Sequence, residues 1–261
     1  MFFSYLLLLM KNQNFKIYFD EAGRWPLAGP VFIWLICPLQ KLSKNEILPF
    51  CDSKQIFETR REELLIKIEK LKAEWKIIFT SSWMTAAEID KYWMSNALHC
   101  AILRWMIQIF NQLFPDINLN NNLPNPLSTQ IKSKQKYTDV LNYFSQLNLK
   151  WINIKLIMDW NRDFGLKKMF PFWEIETIVS GDAKIKEIWM ASIVAKVSRD
   201  HIMETLPGKY VKYKFDKHKW YWTKEHKELL EKYWPSDIHR KLFLKRIFPN
   251  HKISKKLPEI F

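Results

Sequence analysis

The sequence predicts an α/β protein built as one domain, and three observations carry that expectation. Short β-prone runs alternate with segments of helical period along most of the chain. Three of those runs end on acidic residues, where sheets of this class hand over to functional loops. With 261 residues, 48% of them hydrophobic and 26% charged, the chain can bury a sizeable core without disulfides. It is neither a disordered tail nor a membrane bundle.

The N-terminal MFFSYLLLLM has no basic flank and no small-residue cleavage site, and it is too short to span a bilayer. Residues 1–14 read as an extension, with Met10 the expected true start. Residues 15–19 (FKIYF) read as a strand running into Asp20 and Glu21, and a second β-like run covers Val31–Cys37. Glu58–Ala73 carries Leu64, Leu65, Ile68 and Leu71 at helical spacing, with Thr59 near the cap. Lys76–Thr80 reads as a strand, Thr85-Ala-Ala-Glu88 opens a helix with a capping box, and Asn96–Leu113 reads as a long buried helix.

Residues 115–136, rich in Asn, Pro and Ser, read as a loop insertion. Lys155–Met158 is a short strand ending at Asp159, and Ile175–Val179 is another, ending near Gly181 and Asp182. Ile188–Leu206 reads as a helix with Ala191, Ser192 and Ala195 on one face. Neither a repeat nor a second core is visible. One domain is therefore expected over residues 15–245, followed by a basic tail at 246–261.

Lys plus Arg number 41 against 27 Asp plus Glu, a formal charge of +14 and a pI near 9.5. That balance suits a polyanionic partner, most simply nucleic acid. Cys37, Cys51 and Cys100 are odd in number and have no CxxC spacing, which argues against a disulfide framework or zinc knuckle and for a reducing cytoplasm.

Within this basic chain, Asp20, Glu21, Asp159 and Asp182 all fall at strand ends. Any one of them could cap a helix or pair with a lysine. Together they form a set of hard oxygen donors suited to two Mg²⁺-like cations, which can activate water and stabilise a leaving oxygen at a phosphate. His218 and His226 have no standard metal-site spacing and are assigned no chemistry. Met84, Met94 and Met106 read as core filler.

Residues 20–30, DEAGRWPLAGP, resemble the signature DEAGRGPLAGP of the ribonuclease HII family. The resemblance continues in order through DSK at 52–54, MTAAEID…NALHCAI, IMDWN at 157–161 and GDAK at 181–184. It ends with MASIVAKVSRD at 190–200, HKWYWTKEH at 218–226 and YWPSDIHRKLF at 233–243. It covers roughly residues 17–245, outside the 115–136 loop and the tail. It implies a ribonuclease H-like fold, a central mixed β-sheet flanked by helices with a helical C-terminal part.

The resemblance makes Asp20, Glu21, Asp159 and Asp182 the catalytic, metal-binding acids. The interval from Asp159 to Asp182 is a few residues longer than in typical members. Asp163 and Glu174 are the nearest rival acids, though neither has a GDAK-like context. The family reads the RNA–DNA junction with the backbone of its GRG turn and a tyrosine, here Gly23, Arg24, Trp25 and Tyr221. Turn amides can meet a 2′-hydroxyl, the group that distinguishes RNA from DNA. Lys54, Lys184, Ser192 and Lys196 are candidate phosphate contacts, and His218 becomes a loop-structuring residue.

The composition carries one anomaly: glycine occurs 5 times and tryptophan 13 times. Were every tryptophan a glycine, glycine would make up about 7% of the chain, its usual share. Trp25, Trp160, Trp220 and Trp222 stand where the family has glycine, and Trp189 and Trp234 fall at Gly- or Ala-like places. One explanation is a UGA codon, which encodes glycine in some bacterial lineages and is read as tryptophan by the common alternative table. The rival is a decayed, inactive relative. If glycine belongs at these turns, indoles there should produce crowding.

Taken together, these expectations describe a cytoplasmic, monomeric endoribonuclease dependent on Mg²⁺ or Mn²⁺. Its partner is nucleic acid rather than a membrane: RNA–DNA hybrids and duplex DNA with embedded ribonucleotides, cut to leave 3′-hydroxyl and 5′-phosphate ends. The alternatives are a non-catalytic hybrid-binding relative blocked by Trp25, and a nuclease anchored through MFFSYLLLLM.

Overall fold

A computed structural model describes residues 14–47, 56–113, 153–163, 165–171, 173–206 and 208–248. Cys51, Lys54, the 115–136 loop, Met10 and residues 249–261 of the tail lie outside them. The first strand, β1 (Asn14–Ala22), buries Phe15, Ile17, Tyr18 and Phe19 and extends past Phe19, so Asp20 and Glu21 lie within it rather than after it. In β2 (Val31–Pro38) every residue from Val31 to Cys37 is buried, the near-continuous apolar run of a strand covered on both faces.

After the single-turn α1 (Lys44–Ile47) comes α2 (Glu58–Ala73), with the bounds its spacing predicts. Its cap is a correction: Phe57, not Thr59, is the N-cap, in extended conformation and with no side-chain hydrogen bond. β3 (Ile77–Met84) leads into α3 (Ala86–Leu113) through the expected capping box. The Thr85 N–H donates to Glu88 Oε2 at 2.8 Å, and the Glu88 N–H donates to Thr85 Oγ1 at 3.2 Å. α3 includes the predicted 96–113 segment but is broken at Trp93, where φ is 66° and ψ 155°.

The second half supplies β4 (Asn153–Met158), α4 (Leu166–Met169), β5 (Glu174–Thr177) and a 3₁₀ turn at Gly181–Ala183. α5 (Lys186–Glu204) and a 3₁₀ segment at Gly208–Tyr213 follow, then α6 (Phe215–His218), α7 (Lys224–Tyr233) and α8 (Lys241–Ile247). The five strands form one sheet in the order β3-β2-β1-β4-β5. β1 and β4 are parallel with Phe19 opposite Met158; β4 and β5 are parallel with Met158 opposite Thr177. Central β1 thus brings its acidic end level with the end of β4.

The chain divides into two compact units: Met1–Asp20, Trp34–Ser82 and Ile102–Val194 in one; Glu21–Ile33, Trp83–Ala101 and Ala195–Phe261 in the other. In the first, Tyr18, Ile157 and Ile188 pack together with Ile178 and Ile185 at their edge. In the second, Leu27, Ala28, Met203, Tyr210, Tyr213, Phe215, Trp220, Leu230 and Leu244 make the core. Among the described residues no helix is long and apolar enough to cross a membrane.

Candidate active site

Three of the four predicted acids, Asp20, Asp159 and Asp182, belong to the first unit. The Asp159 N–H donates to the carbonyl of Phe19 at 3.3 Å, one step beyond the β1–β4 ladder, which sets Asp159 level with the end of β1. From the other side the Ile178 N–H donates to the Met158 carbonyl at 2.8 Å, bringing in the chain that leaves β5. That chain turns at Gly181, whose N–H donates to Asp159 Oδ1 at 2.7 Å, while the Asp182 N–H reaches Asp159 Oδ2 at 3.4 Å.

One carboxylate therefore holds the turn that carries the next. Gly181 is needed for the approach: a Cβ there would lie 2.7 Å from Ile188 Cδ1 and 3.3 Å from Asp159 Cα. Asp182 is buried, and Asp20 and Asp159 are half-buried. Glu21, also half-buried, is the next residue of β1 and opens the second unit.

As a donor set, carboxylates without sulfur or imidazole suit a hard cation such as Mg²⁺ or Mn²⁺. In kind, then, these residues fit a divalent metal. As placed in this structure, however, no group of three or more His, Cys, Asp or Glu side chains among the described residues comes together closely enough to hold a metal ion. Asp163 is turned elsewhere, accepting from the N–H groups of Gly165 at 3.3 Å and Lys167 at 3.2 Å. Glu174 pairs with Lys155 at 2.5 Å.

The predicted junction-reading residues lie in the second unit. Gly23 has φ of 86°, and a Cβ on it would lie 2.6 Å from the Pro30 carbonyl oxygen. Only glycine makes this turn without strain. The turn from Gly23 to Pro30 is held by one buried side chain. Arg240 donates through Nε to the Gly29 carbonyl at 2.9 Å and through Nη1 to the Arg24 carbonyl at 3.0 Å. Its Nη2 reaches the carbonyls of Gly23 at 2.5 Å and Pro30 at 3.0 Å. Burial pushes the Arg240 pKa down to about 9, so the guanidinium remains a cation at neutral pH.

Around this turn, Trp25 is 69% exposed, with the Arg24 guanidinium 4.8 Å over its ring. Tyr221 is 45% exposed, and the Arg199 guanidinium lies 5.2 Å from its ring centre. Arg199 also donates to the Lys219 carbonyl, and the Leu27 N–H donates to the Trp220 carbonyl at 2.9 Å. The Gly23 turn and the Tyr221 loop are therefore tied together.

Beneath Tyr221 runs a histidine relay. The Ser236 N–H donates to His239 Nδ1 at 2.9 Å, so the His239 proton is on Nε2. That proton faces His226 Nε2 at 3.2 Å, which leaves His226 Nδ1–H to donate to the Tyr221 carbonyl at 2.9 Å. Each ring is neutral in a single tautomer. Burial holds both well below the ordinary histidine value, His226 at about 4 and His239 at about 3. His218 stacks on His226 at 4.1 Å and bonds the Tyr213 carbonyl at 2.7 Å, which agrees with a loop-structuring part.

Of the candidate phosphate contacts, Lys184 is exposed and donates to the Val179 carbonyl at 2.7 Å. Ser192 is buried on α5, and Lys196 is half-buried one turn further along. Sequence reasoning missed Arg240, Arg199, His239 and the positioning part of His226. The only signal was their presence in the matched strings VSRD, TKEH and DIHR.

Residues 145–247 match the family model of ribonuclease HII. Ribonuclease HII of Caldicellulosiruptor bescii is 32% identical over 240 residues, 92% of this chain and 91% of that one. Ribonuclease HII of Endomicrobium trichonymphae is 32% identical over 226 residues, 86% of this chain and 82% of that one. In fold, the chain resembles ribonuclease H2 from Pyrococcus horikoshii, with a TM-score of 0.54 at 21% identity, covering 93% of this chain and all of that one. It also resembles the ribonuclease HII of Archaeoglobus fulgidus solved with PCNA, with a TM-score of 0.53 at 17% identity, over 87% and 93% of the two chains. With relatives 32% identical over most of both chains, the chain belongs to the ribonuclease HII family.

Proposed function

We propose that the chain is a divalent-cation-dependent endoribonuclease acting on the RNA strand of RNA–DNA hybrids and 5′ of single ribonucleotides in duplex DNA. Its products carry 3′-hydroxyl and 5′-phosphate ends. The observation that carries this reading is Asp159: its backbone continues the β1–β4 ladder while its carboxylate anchors the turn bearing Asp182. Catalytic acids held by the sheet rather than by mobile loops need little reorganisation during reaction.

Asp20, Glu21, Asp159 and Asp182 would hold Mg²⁺ or Mn²⁺, which when bound supplies an activated water and neutralises charge at the phosphate. The backbone from Gly23 to Trp25, kept in shape by Arg240, presents amides to the 2′-hydroxyl. The Tyr221 ring packs on the neighbouring deoxyribose, which has no such hydroxyl. Lys54, Lys184, Ser192 and Lys196 are assigned to phosphate contacts along the duplex. The catalytic region spans residues 15–245, with 246–261 as a basic tail.

A second reading is favoured by one observation, the exposed indole of Trp25 on the reading turn. It makes the chain a hybrid-binding protein without turnover. The test is cleavage of a DNA duplex carrying one ribonucleotide, with Mg²⁺ or Mn²⁺ and an EDTA control. It is run on this chain and on a version with glycine at all thirteen tryptophan positions. Metal-dependent cleavage by the glycine version is expected, and Asp20→Asn in it should lower the rate about 1,000-fold or more while duplex binding persists. Salt-dependent binding without cleavage by either folded chain would establish the binding reading instead. Retained turnover by Asp20→Asn would end the metal-site assignment.

A further inference from the structure

Seven non-glycine residues among those described have positive φ, and four of them are tryptophan: Trp75 (56°), Trp93 (66°), Trp220 (65°) and Trp234 (61°). Tryptophan supplies only 13 of the 261 residues, so its share of these positions is far above its abundance. The side chains that tolerate this region are those of Asn and Asp, and a bulky aromatic there is a strained outlier. Trp93 and Trp234 go further, combining positive φ with ψ of 155° and 158°. That region is occupied essentially by glycine alone.

The hydrogen bonds around these residues are those of glycine turns. At the end of α2 the Trp75 N–H donates to the Lys72 carbonyl at 3.0 Å and the Lys76 N–H to the Leu71 carbonyl at 3.0 Å. This pair of bonds is a Schellman motif with Trp75 at C′, the position glycine most often fills. Trp234 ends α7, with its N–H on the Leu230 carbonyl at 3.0 Å. Trp93 marks the break in α3, and Trp220 follows Lys219, itself left-handed at φ 48°.

The side chains agree with the backbone. Trp75, Trp93 and Trp234 are 69%, 63% and 56% exposed, although tryptophan is on average strongly buried. Trp220 is fully buried, and its indole N–H has no hydrogen-bond partner, an arrangement a buried indole usually avoids. Its ring lies so close to Gly29 that a Cβ there would be 2.1 Å from Trp220 Cζ3. The ring thus occupies the space that any side chain at Gly29 would need.

We infer that the protein made in its source cell carries glycine at Trp75, Trp93, Trp220 and Trp234, through a codon that one genetic code reads as tryptophan and the cell reads as glycine. A single reassigned codon, UGA, accounts at once for the backbone at these four positions and for the chain-wide deficit of glycine. Decay by random mutation accounts for neither, because it would not replace glycine repeatedly with one particular residue. The inference stands apart from the catalytic reading, since it rests on backbone conformation and composition alone.

The experiment is peptide mass spectrometry of the protein purified from its source cells, read beside the codons of its gene. UGA at all four positions, with peptides of glycine mass, is the expected result. UGG at any of the four, or peptides of tryptophan mass, would overturn it. A second arm uses protein made from a synthetic gene in a host with the standard code. The triple variant Trp75→Gly, Trp93→Gly, Trp234→Gly should unfold about 5–10 °C higher than the tryptophan chain, because it relieves strain at exposed sites. Trp220→Gly is left out of that set because removing a buried ring opens a cavity. An unchanged or lower unfolding midpoint would contradict the strain on which the inference rests.

Discussion

The edge carrying Asp20, Asp159 and Asp182 and the turn running from Gly23 to Pro30 are built on opposite principles. At the acid edge, strand register does the positioning: parallel pairing sets Asp159 level with the end of β1, and two N–H donors fix its carboxylate. Asp20 and Asp159 are half-buried and Asp182 is buried, and the backbone around them pairs with itself. At the turn, the backbone carbonyls of Gly23, Arg24, Gly29 and Pro30 converge on a single buried guanidinium. The neighbouring Tyr221 carbonyl is held by neutral histidines. The carboxylates proposed to bind metal and the guanidinium that holds the turn are therefore different residues, and substitutions should sort accordingly.

The largest effect should come from Arg240. Arg240→Met fills much of the volume but leaves four carbonyls without their donor, at a cost of about 3–5 kcal/mol. Arg240→Lys keeps the charge without the fork and should recover only part of that loss. Asp20→Asn, by contrast, should leave stability within about 0.5 kcal/mol while removing cleavage. Urea unfolding midpoints of the three variants measure the contrast. A loss below about 1 kcal/mol for Arg240→Met would mean that the turn holds its shape without the guanidinium.

The next effect is one of pH. His226 and His239 are neutral in the fold, with pKa values of about 4 and 3, against about 6.5 when unfolded. Unfolding therefore takes up protons between those values. Stability falls as pH drops below 6.5, and the loss stops growing once pH is below the folded values. At pH 5 each buried ring should cost about 2 kcal/mol. His239→Gln, which retains an N–H toward His226, should flatten the dependence by about half. If the unfolding free energies of the two proteins keep parallel pH profiles from pH 7 to 5, the relay is not what titrates.

Much of the fold was legible because it is written in local pattern. α2 follows from the spacing of Leu64, Leu65, Ile68 and Leu71, the start of α3 from Thr85 and Glu88, and Asp159 from the end of β4, whereas β5 stops at Thr177 and Asp182 lies on the following 3₁₀ turn rather than at a strand end. Three features were not legible, each for a physical reason. The N-cap of α2 is set by extended backbone at Phe57, with no side-chain bond, so Thr59 was a false signal. The break in α3 is announced in ordinary sequences by glycine, whereas here Trp93 reads as one more apolar helical residue. Arg240 reaches carbonyls more than 200 positions away in sequence, and no local pattern encodes such a contact.

The smallest and sharpest test compares one glycine from each region. Gly23→Ala places a methyl group 2.6 Å from the Pro30 carbonyl oxygen, which also accepts from Arg240, and does so at φ of 86°. Both the clash and the backbone conformation oppose it, and neither partner can yield, so the expected cost is about 2–4 kcal/mol. Gly181→Ala meets the Cδ1 end of Ile188 at 2.7 Å, and φ there is not positive. A flexible methyl can rotate away, so its cost should be about 1 kcal/mol. In function the order should reverse in character. The methyl at Gly181 also presses on Asp159 Cα at 3.3 Å, so Gly181→Ala should lower kcat while leaving affinity for the duplex unchanged. Gly23→Ala alters the turn assigned to the 2′-hydroxyl and should instead erode the preference for a ribonucleotide-containing duplex over all-DNA duplex. Equal stability losses, or the same kinetic signature from both variants, would mean that the two regions do not divide the work as their construction implies.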